Sequence, residues 1–319
     1  MLNPRKTLLL GALALLVAGV CAAQNRGWGS GGWGRGFRRN GGPVVWTEGN
    51  EAVDERVVKT AREIASHSSG TPVWTNPTGF EKDVWTFARL IRDRGEDAPP
   101  SAGNWVTDFP DSDLNLSFRL QQMTSLRVDP DGRIFRLTDP VLAEYPWIYT
   151  VEPGGLSLRD EEVPLLRKYL LNGGVFMADD FWGQWQWDYF EQQIHRVLPE
   201  KQFTELDISH PLFHCVFDLK GPVSRLQTPG ERTFESNGED PSITWERHPR
   251  EDGGDEECRP MHVRAIFDDH GRIMVIATFN CDNGDGWERE GENQKFFEIF
   301  SEKRAFPLGI NLIFYLMTH

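Results

Sequence analysis

Along the middle of the chain, short apolar runs bounded by turn residues alternate with longer stretches of helical spacing. "GRIFRLT" and "PWIYTVEP" carry the β-branched and aromatic content of strands, with turn residues on both sides. "SLRDEEVPLLRKYLLNGG" reads as a helix. Ser157 can cap it, acidic residues fill its first turn and Gly173 closes it, while Pro164 distorts the first turn or delays the start. "VFMADD" is the next strand. "DYFEQQIHRVLP" is the next helix, with Asp188 and Glu191 at capping-box spacing and Phe190, Ile194 and Val197 on one face. Strand, helix, strand, helix in this order predicts a parallel sheet covered on both sides.

On the N-terminal side, "AVDERVVKTAREIASH" (52–67) has near-helical apolar spacing and predicts a helix. "DVWTFARLIRD" alternates as a strand, and a proline-containing loop, "EDAPPSAGNWVTDFPDSD", leads to the helix-like "LNLSFRLQQMTS". Residues 217–260 read as a loop-rich insertion heavy in Pro, Gly and acid. "MHVRAIFDDHGRIMVIATFN" then reads as a β-hairpin turning at "DDHG". The apolar "AFPLGINLIFYLMTH" is too short to span a bilayer and predicts a helix packed on the sheet.

The first 23 residues change the setting. "MLNPRK" is a short positive end, "TLLLGALALLVAGV" an apolar core and "CAA" a small-residue cleavage site, the layout of an export signal. Acylation of Cys21 as a lipid anchor is the weaker alternative, because Val20 is larger than such processing wants. Export places the rest of the chain in the periplasm or outside the cell, with no membrane span after signal removal. The formal charge of −14 grows more negative once Arg5 and Lys6 leave. Such a surface repels phosphate backbones and excludes nucleic acid as a partner. "QNRGWGSGGWGRGFRRNGG" (24–42) cannot bury a core and reads as a flexible spacer, or as a contact with envelope proteins or polymers. Cys215, Cys258 and Cys281 then remain. Either Cys258 and Cys281 form a disulfide, or all three are buried thiols.

Three segments carry candidate chemistry. In open α/β sheets, ligands bind at the carboxyl ends of the strands. "VFMADD" delivers Asp179 and Asp180 there, with Phe181, Trp182, Trp185, Trp187 and Tyr189 as a lid or a stacking platform for a sugar. The bland reading is that one aspartate caps the turn and the other is solvated. "SHPLFHCVFD" sets His210 and His214 four apart, a zinc spacing on a helix, although Pro211 interrupts one. "CDNGDGWEREGE" nearly fits a calcium loop, with Asn283, Asp285, Gly286 and Glu292 in place. Its first position is Cys281, and the alternative is a Gly turn whose Asp side chains, Asp282 and Asp285, bond their own backbone. No serine or cysteine nucleophile motif and no phosphate loop is present. Of the cofactors, only a divalent metal is left open, with His210, His214 and Asp180 as its ligands.

"RLQQMTSLRVDPDGRIFRLTDPVLAEYPWIYTVEPG", "YLLNGGVFMADDFWG", "HPLFH", "NGDGWE" and "LGINLIFYLMTH" occur in the order found in the bacterial domain-of-unknown-function family 4159. The chain resembles that family from about residue 80 to 319, after an N-terminal helical extension over 43–79. The resemblance implies a fold similar to class I glutamine amidotransferases, a flavodoxin-like three-layer α/β sandwich with a mostly parallel sheet. Those enzymes carry a cysteine on the tight turn after a central strand. Here that turn reads Asp179-Asp180-Phe181, which removes the warrant for amidase activity. The expectation is therefore an exported domain, leaning away from catalysis, that binds a small molecule or glycan. Asp179, Asp180, Trp182, His210, His214, Asp282 and Asp285 would line its cleft. The alternative is a metal-assisted hydrolase of the cell envelope.

Overall fold

A computed structural model describes residues 43–68, 70–79, 83–246 and 254–319. The export signal (1–23) and the Gly/Arg/Trp-rich stretch (24–42) lie outside the described residues. From Pro43 to His319 the chain forms one compact unit.

Its centre is a seven-stranded, mostly parallel sheet in the order β5-β3-β6-β8-β11-β10-β9. The parallel strands are β3 (Ala88–Leu90), β5 (Arg133–Phe135), β6 (Trp147–Val151), β8 (Val175–Asp179) and β11 (Ile273–Phe279). Antiparallel β10 (His262–Phe267) and β9 (Thr204–Glu205) finish one edge. Two small ladders lie outside it, β1 (Val44–Trp46) with β2 (Ala52–Asp54), and β4 (Asp93–Arg94) with β7 (Leu156–Ser157).

Side chains alternate across the strands, and both faces are apolar because both are covered. Trp147, Tyr149, Val175 and Met177 pack with Leu116 and Leu120 of α1 (Asp111–Met123), and with the C-terminal Phe306–Thr318 helix. Ile148, Phe176 and Ala178 face the other way, toward Leu166 and Leu170 of α2 (Glu162–Leu171) and Phe190, Ile194 and Val197 of α3 (Gly183–Val197). Pro164 is the third residue of α2, where its missing N–H costs no helical bond. Within residues 217–260 the described parts hold only a 3-10 turn, Val223–Leu226, and two short helices, α4 (Glu231–Ser236) and α5 (Asp255–Cys258). Two more helices follow the hairpin, α6 (Asn283–Glu288) and α7 (Gln294–Phe296). A π-helical stretch, Phe297–Ala305, then leads into α8, the C-terminal helix already given. Among the described residues no helix is long and apolar enough to cross a membrane.

Three local expectations are corrected. The helix over 52–67 is not formed. Residues 52–54 pair with β1, the amides of Val57 and Val58 turn back onto the Asp54 carbonyl, and only Ala61–Glu63 winds as a 3-10 turn. Tertiary pairing overrides the weak periodicity. The cap at Asp188 is also unused, because α3 starts at Gly183. The Gly183 amide there donates to Asn280 Oδ1 at 2.9 Å, a bond from the end of β11. Finally, Cys258 and Cys281 are not bridged. The Cys281 sulfur accepts from the Thr228 amide at 3.3 Å, and Cys258 Sγ lies 3.8 Å from the Gly254 carbonyl.

Candidate functional site

The carboxyl ends of β6, β8 and β11 hold three non-glycine residues in the left-handed region, Glu152 (φ 48°), Asp180 (φ 57°) and Asn280 (φ 56°). Asp108, on the loop before α1, is a fourth at φ 61°. Such conformations persist only where surrounding bonds over-determine them, and they gather at functional sites. Here the bonds are explicit. The Glu152 amide donates to the Asp179 carbonyl, the Asp180 amide to that of Cys281, and the Asn280 amide to that of Phe181. Arg92 clamps the β6 turn through the Val151 and Glu152 carbonyls at 3.2 and 2.6 Å. Buried Arg89, from β3, pairs with Asp113 and gathers the carbonyls of Trp105 and Thr107 at 3.0 and 2.9 Å, which fixes the loop bearing Asp108.

Asp179 is an anchor. Its carboxylate accepts from Tyr149 Oη, Thr278 Oγ1, the Asn283 side chain, and the amides of Asn283 and Gly284 at the start of α6. Burial pushes its pKa up to about 6, with those donors working in the opposite direction.

Beside it lies a buried cluster of acids. One carboxylate oxygen each from Asp108, Asp282 and Asp285 fall within 4.8 Å of one another. Asp282 caps α6 by accepting from the Asp285 amide at 2.7 Å. Asp285 meets Arg289 at 3.2 Å and accepts from the Glu231 amide. Asp108 is 1% exposed, and neither of its carboxylate oxygens has a hydrogen-bond partner among the described residues. Gly284 makes room for it: a Cβ there would stand 1.9 Å from Asp108 Oδ2. Asp180 accepts from the Trp182 indole at 2.9 Å. Burial, then the neighbouring acids, push Asp108, Asp180 and Asp282 well above the usual carboxylate range. Glu152 rises to about 7, chiefly through burial and against the opposing pull of Arg92. Asp285 alone is held low, because Arg289 and the Glu231 amide outweigh its burial.

The cluster continues outward through Arg289, which faces Glu48, Glu231, Asp285, Glu288 and Glu292. Two of its neighbours come from the N-terminal segment. Glu48 lies 2.7 Å from Arg289 Nη2, and His67 Nε2 lies 2.6 Å from Glu288 Oε1.

Of the residues singled out from the sequence, Asp179, Asp180, Trp182, Asp282 and Asp285 are brought together. His210 and His214 are not. The His210 ring packs on Phe267 and Tyr315 and caps its own 3-10 turn by accepting from the Leu212 amide. Phe267 pairs with Ile273, at the far end of β11 from the acids. His214 bonds Asp218 and the Ile208 carbonyl at the surface. Neither histidine reaches Asp180, so that metal set is not assembled. The calcium loop over 281–292 is replaced by α6, and Glu292 turns to Arg289 and His67. The aromatic platform is also corrected. Phe181, Trp182 and Trp187 are buried, and Phe181 stacks on Trp187 while both pack edge-on or tilted against Phe190 and Phe279 in the core, leaving Trp185 exposed. A cleft of about 1050 Å³ opens at the opposite end of the sheet, lined by Tyr145, Tyr169, Gly173 and Gly174.

Asp108, Glu152 and Glu288 were missed. Glu152 and Glu288 stand inside "YTVEPG" and "NGDGWE", both strand-end stretches, so position was a usable signal. Asp108 sits in a proline loop with nothing local to mark it.

Fold and site together define an α/β domain whose parallel strands end in a buried, acid-rich cluster. The chain belongs to the family described as Domain of unknown function (DUF4159), whose model matches residues 86–317. No curated protein matches it.

Proposed function

We propose that the chain is an exported ligand-binding domain that takes a cation at the carboxyl ends of its parallel strands, without amidotransferase chemistry. One observation carries this reading: Asp108 is buried with both carboxylate oxygens unpartnered, facing Asp282 and Asp285. Burying a carboxylate without a partner costs several kcal/mol, and a cation offsets that cost directly. The nearby guanidinium groups are already engaged, Arg89 by Asp113, Arg92 by backbone carbonyls and Arg289 by Asp285 and four other acids.

Slight exposure of Asp180, Asp282 and Asp285, 6–8% each, suits an ion or a cationic group better than a sugar ring. The amidotransferase-like, flavodoxin-like assignment belongs to the same proposal. It is supported by the parallel strand order and by Asp180, which occupies the left-handed strand-to-helix turn where nucleophile elbows occur. With aspartate there, the turn presents a charge and no nucleophile of that class. Export rests on the composition of residues 1–23. The hydrolase alternative keeps Asp180 but loses both histidines as ligands.

Thermal unfolding of the chelator-treated protein against divalent cations, polyamines, neutral saccharides and carboxylates tests the proposal. Stabilisation by at least one cation class is expected, and stabilisation by saccharides or anions alone would overturn it.

A further inference from the structure

We infer that the ligand is a hard divalent metal ion, held by Asp108, Asp282 and Asp285 as one all-oxygen site. This rests on the cation-binding reading above and names the cation's class.

The geometry sets the class. Opposed oxygen ligands of Ca²⁺, at about 2.3–2.6 Å from the ion, stand about 4.6–5.2 Å apart. Three carboxylate oxygens that all lie within 4.8 Å of one another can therefore share a single ion of this size. Among the described residues no imidazole or thiolate joins them: His67 is engaged by Glu288 and Glu292, and the Cys281 sulfur accepts from Thr228. Oxygen-only donor sets select Ca²⁺, Mg²⁺ or Mn²⁺ over zinc or copper.

The site is built from rigid parts. Asp282 and Asp285 are fixed by the first turn of α6, itself anchored on Asp179. Asp108 is fixed by the Arg89 clamp on the carbonyls around it, and the absence of a side chain at Gly284 lets it approach. Gly230 closes another side, where a Cβ would lie 3.3 Å from both Asp282 Oδ2 and Asp285 Oδ2. Two more oxygens next to Asp282 are buried without a partner among the described residues, Asn283 Oδ1 and Thr228 Oγ1. Three carboxylates leave room in a six- to eight-fold shell for water or for an oxygen of a further ligand.

The test uses the full chain after removal of the first 23 residues, stripped with chelator. Calorimetric titration with Ca²⁺, Mg²⁺ and Mn²⁺ should give one saturable site for at least one ion, with a raised melting temperature. Asp108→Asn, which keeps the side chain's shape, should weaken that site at least tenfold. His214→Ala should leave it unchanged. Should Asp108→Asn fail to fold, Asp282→Asn and Tb³⁺ luminescence sensitised by nearby tryptophan, displaced by Ca²⁺, provide the same readout. Binding of spermidine but of no divalent ion would overturn the metal assignment and leave the cation reading standing. Binding of zinc alone, or divalent binding indifferent to both aspartate variants, would overturn this site. No binding of any cation would overturn both.

Discussion

Replacing Gly284 with alanine tests directly where Asp108 sits. Gly284 is the second residue of α6 and has an ordinary helical-side φ, so alanine suits its backbone. By helix propensity alone the change gains up to about 1 kcal/mol. The new Cβ, however, would lie 1.9 Å from Asp108 Oδ2 and 2.9 Å from its Cγ, with Tyr149 Oη 3.4 Å away. Overpacking of this kind costs about 1–3 kcal/mol. Asp108 has little freedom to withdraw, because its carbonyl accepts from the Ser112 amide at 3.0 Å and Arg89 holds the preceding residue. The net expectation is a loss of about 1–2 kcal/mol, a fall in Tm of about 2–6 °C for a chain of this size. In an Asp108→Ala background the collision disappears, and the same substitution becomes neutral or stabilising. The coupling between the two positions should be about 1–3 kcal/mol. Urea unfolding of the four proteins, followed by tryptophan fluorescence with chelator present, supplies the cycle. A Gly284→Ala variant at least as stable as the parent, uncoupled from residue 108, would refute the placement of the carboxylate.

Two further outcomes follow from buried charge. The folded state raises Asp179 from 3.8 to about 6, so it binds that proton more tightly than the unfolded chain does. Its contribution is present below pH 3.8 and lost as pH rises through 6, about 3 kcal/mol at about 1.4 kcal/mol per unit. Asp179→Asn should flatten stability against pH in that window, and an unchanged profile would contradict the assignment. Arg89→Met leaves Asp113 as a lone buried carboxylate and should cost about 3–5 kcal/mol in chemical unfolding. Restoration by Asp113→Leu in the same chain separates pairing from packing, and a single variant with parental stability would count against the buried pair.

The central strands were legible because residues such as Trp147, Ile148 and Tyr149 are apolar on both faces, a pattern that only a covered sheet explains. The segment 52–67 was misread because its partner, Val44–Trp46, sits upstream, and helical spacing says nothing of strand pairing. Asp188 has good capping chemistry, but the helix begins at Gly183, where Asn280, 97 residues further along the chain, supplies the bond. The site divides in the same way. Asp180, Asp282 and Asp285 were readable because each follows a strand-like run. Asp108 was not, since its place is dictated by Arg89 reaching from β3 to carbonyls 16 and 18 residues further on. His210 and His214 had a ligand's spacing but stand near the wrong end of the sheet.

The N-terminal segment bears on the order in which the molecule assembles. Glu48 bonds Arg289 across 241 residues of sequence, and His67 bonds Glu292 across 225. Contacts this distant along the chain form late, after loop closure has been accomplished elsewhere. Most of the segment docks earlier, with Val58 and Ala61 packing on Trp105, Phe109 and Ile134 and the His67 amide donating to Asp111, so only its bonds to Arg289 and Glu292 wait for α6. A chain interrupted before residue 283 keeps every strand of the sheet and the seat of this segment, yet leaves Glu48 and His67 without Arg289, Glu288 and Glu292.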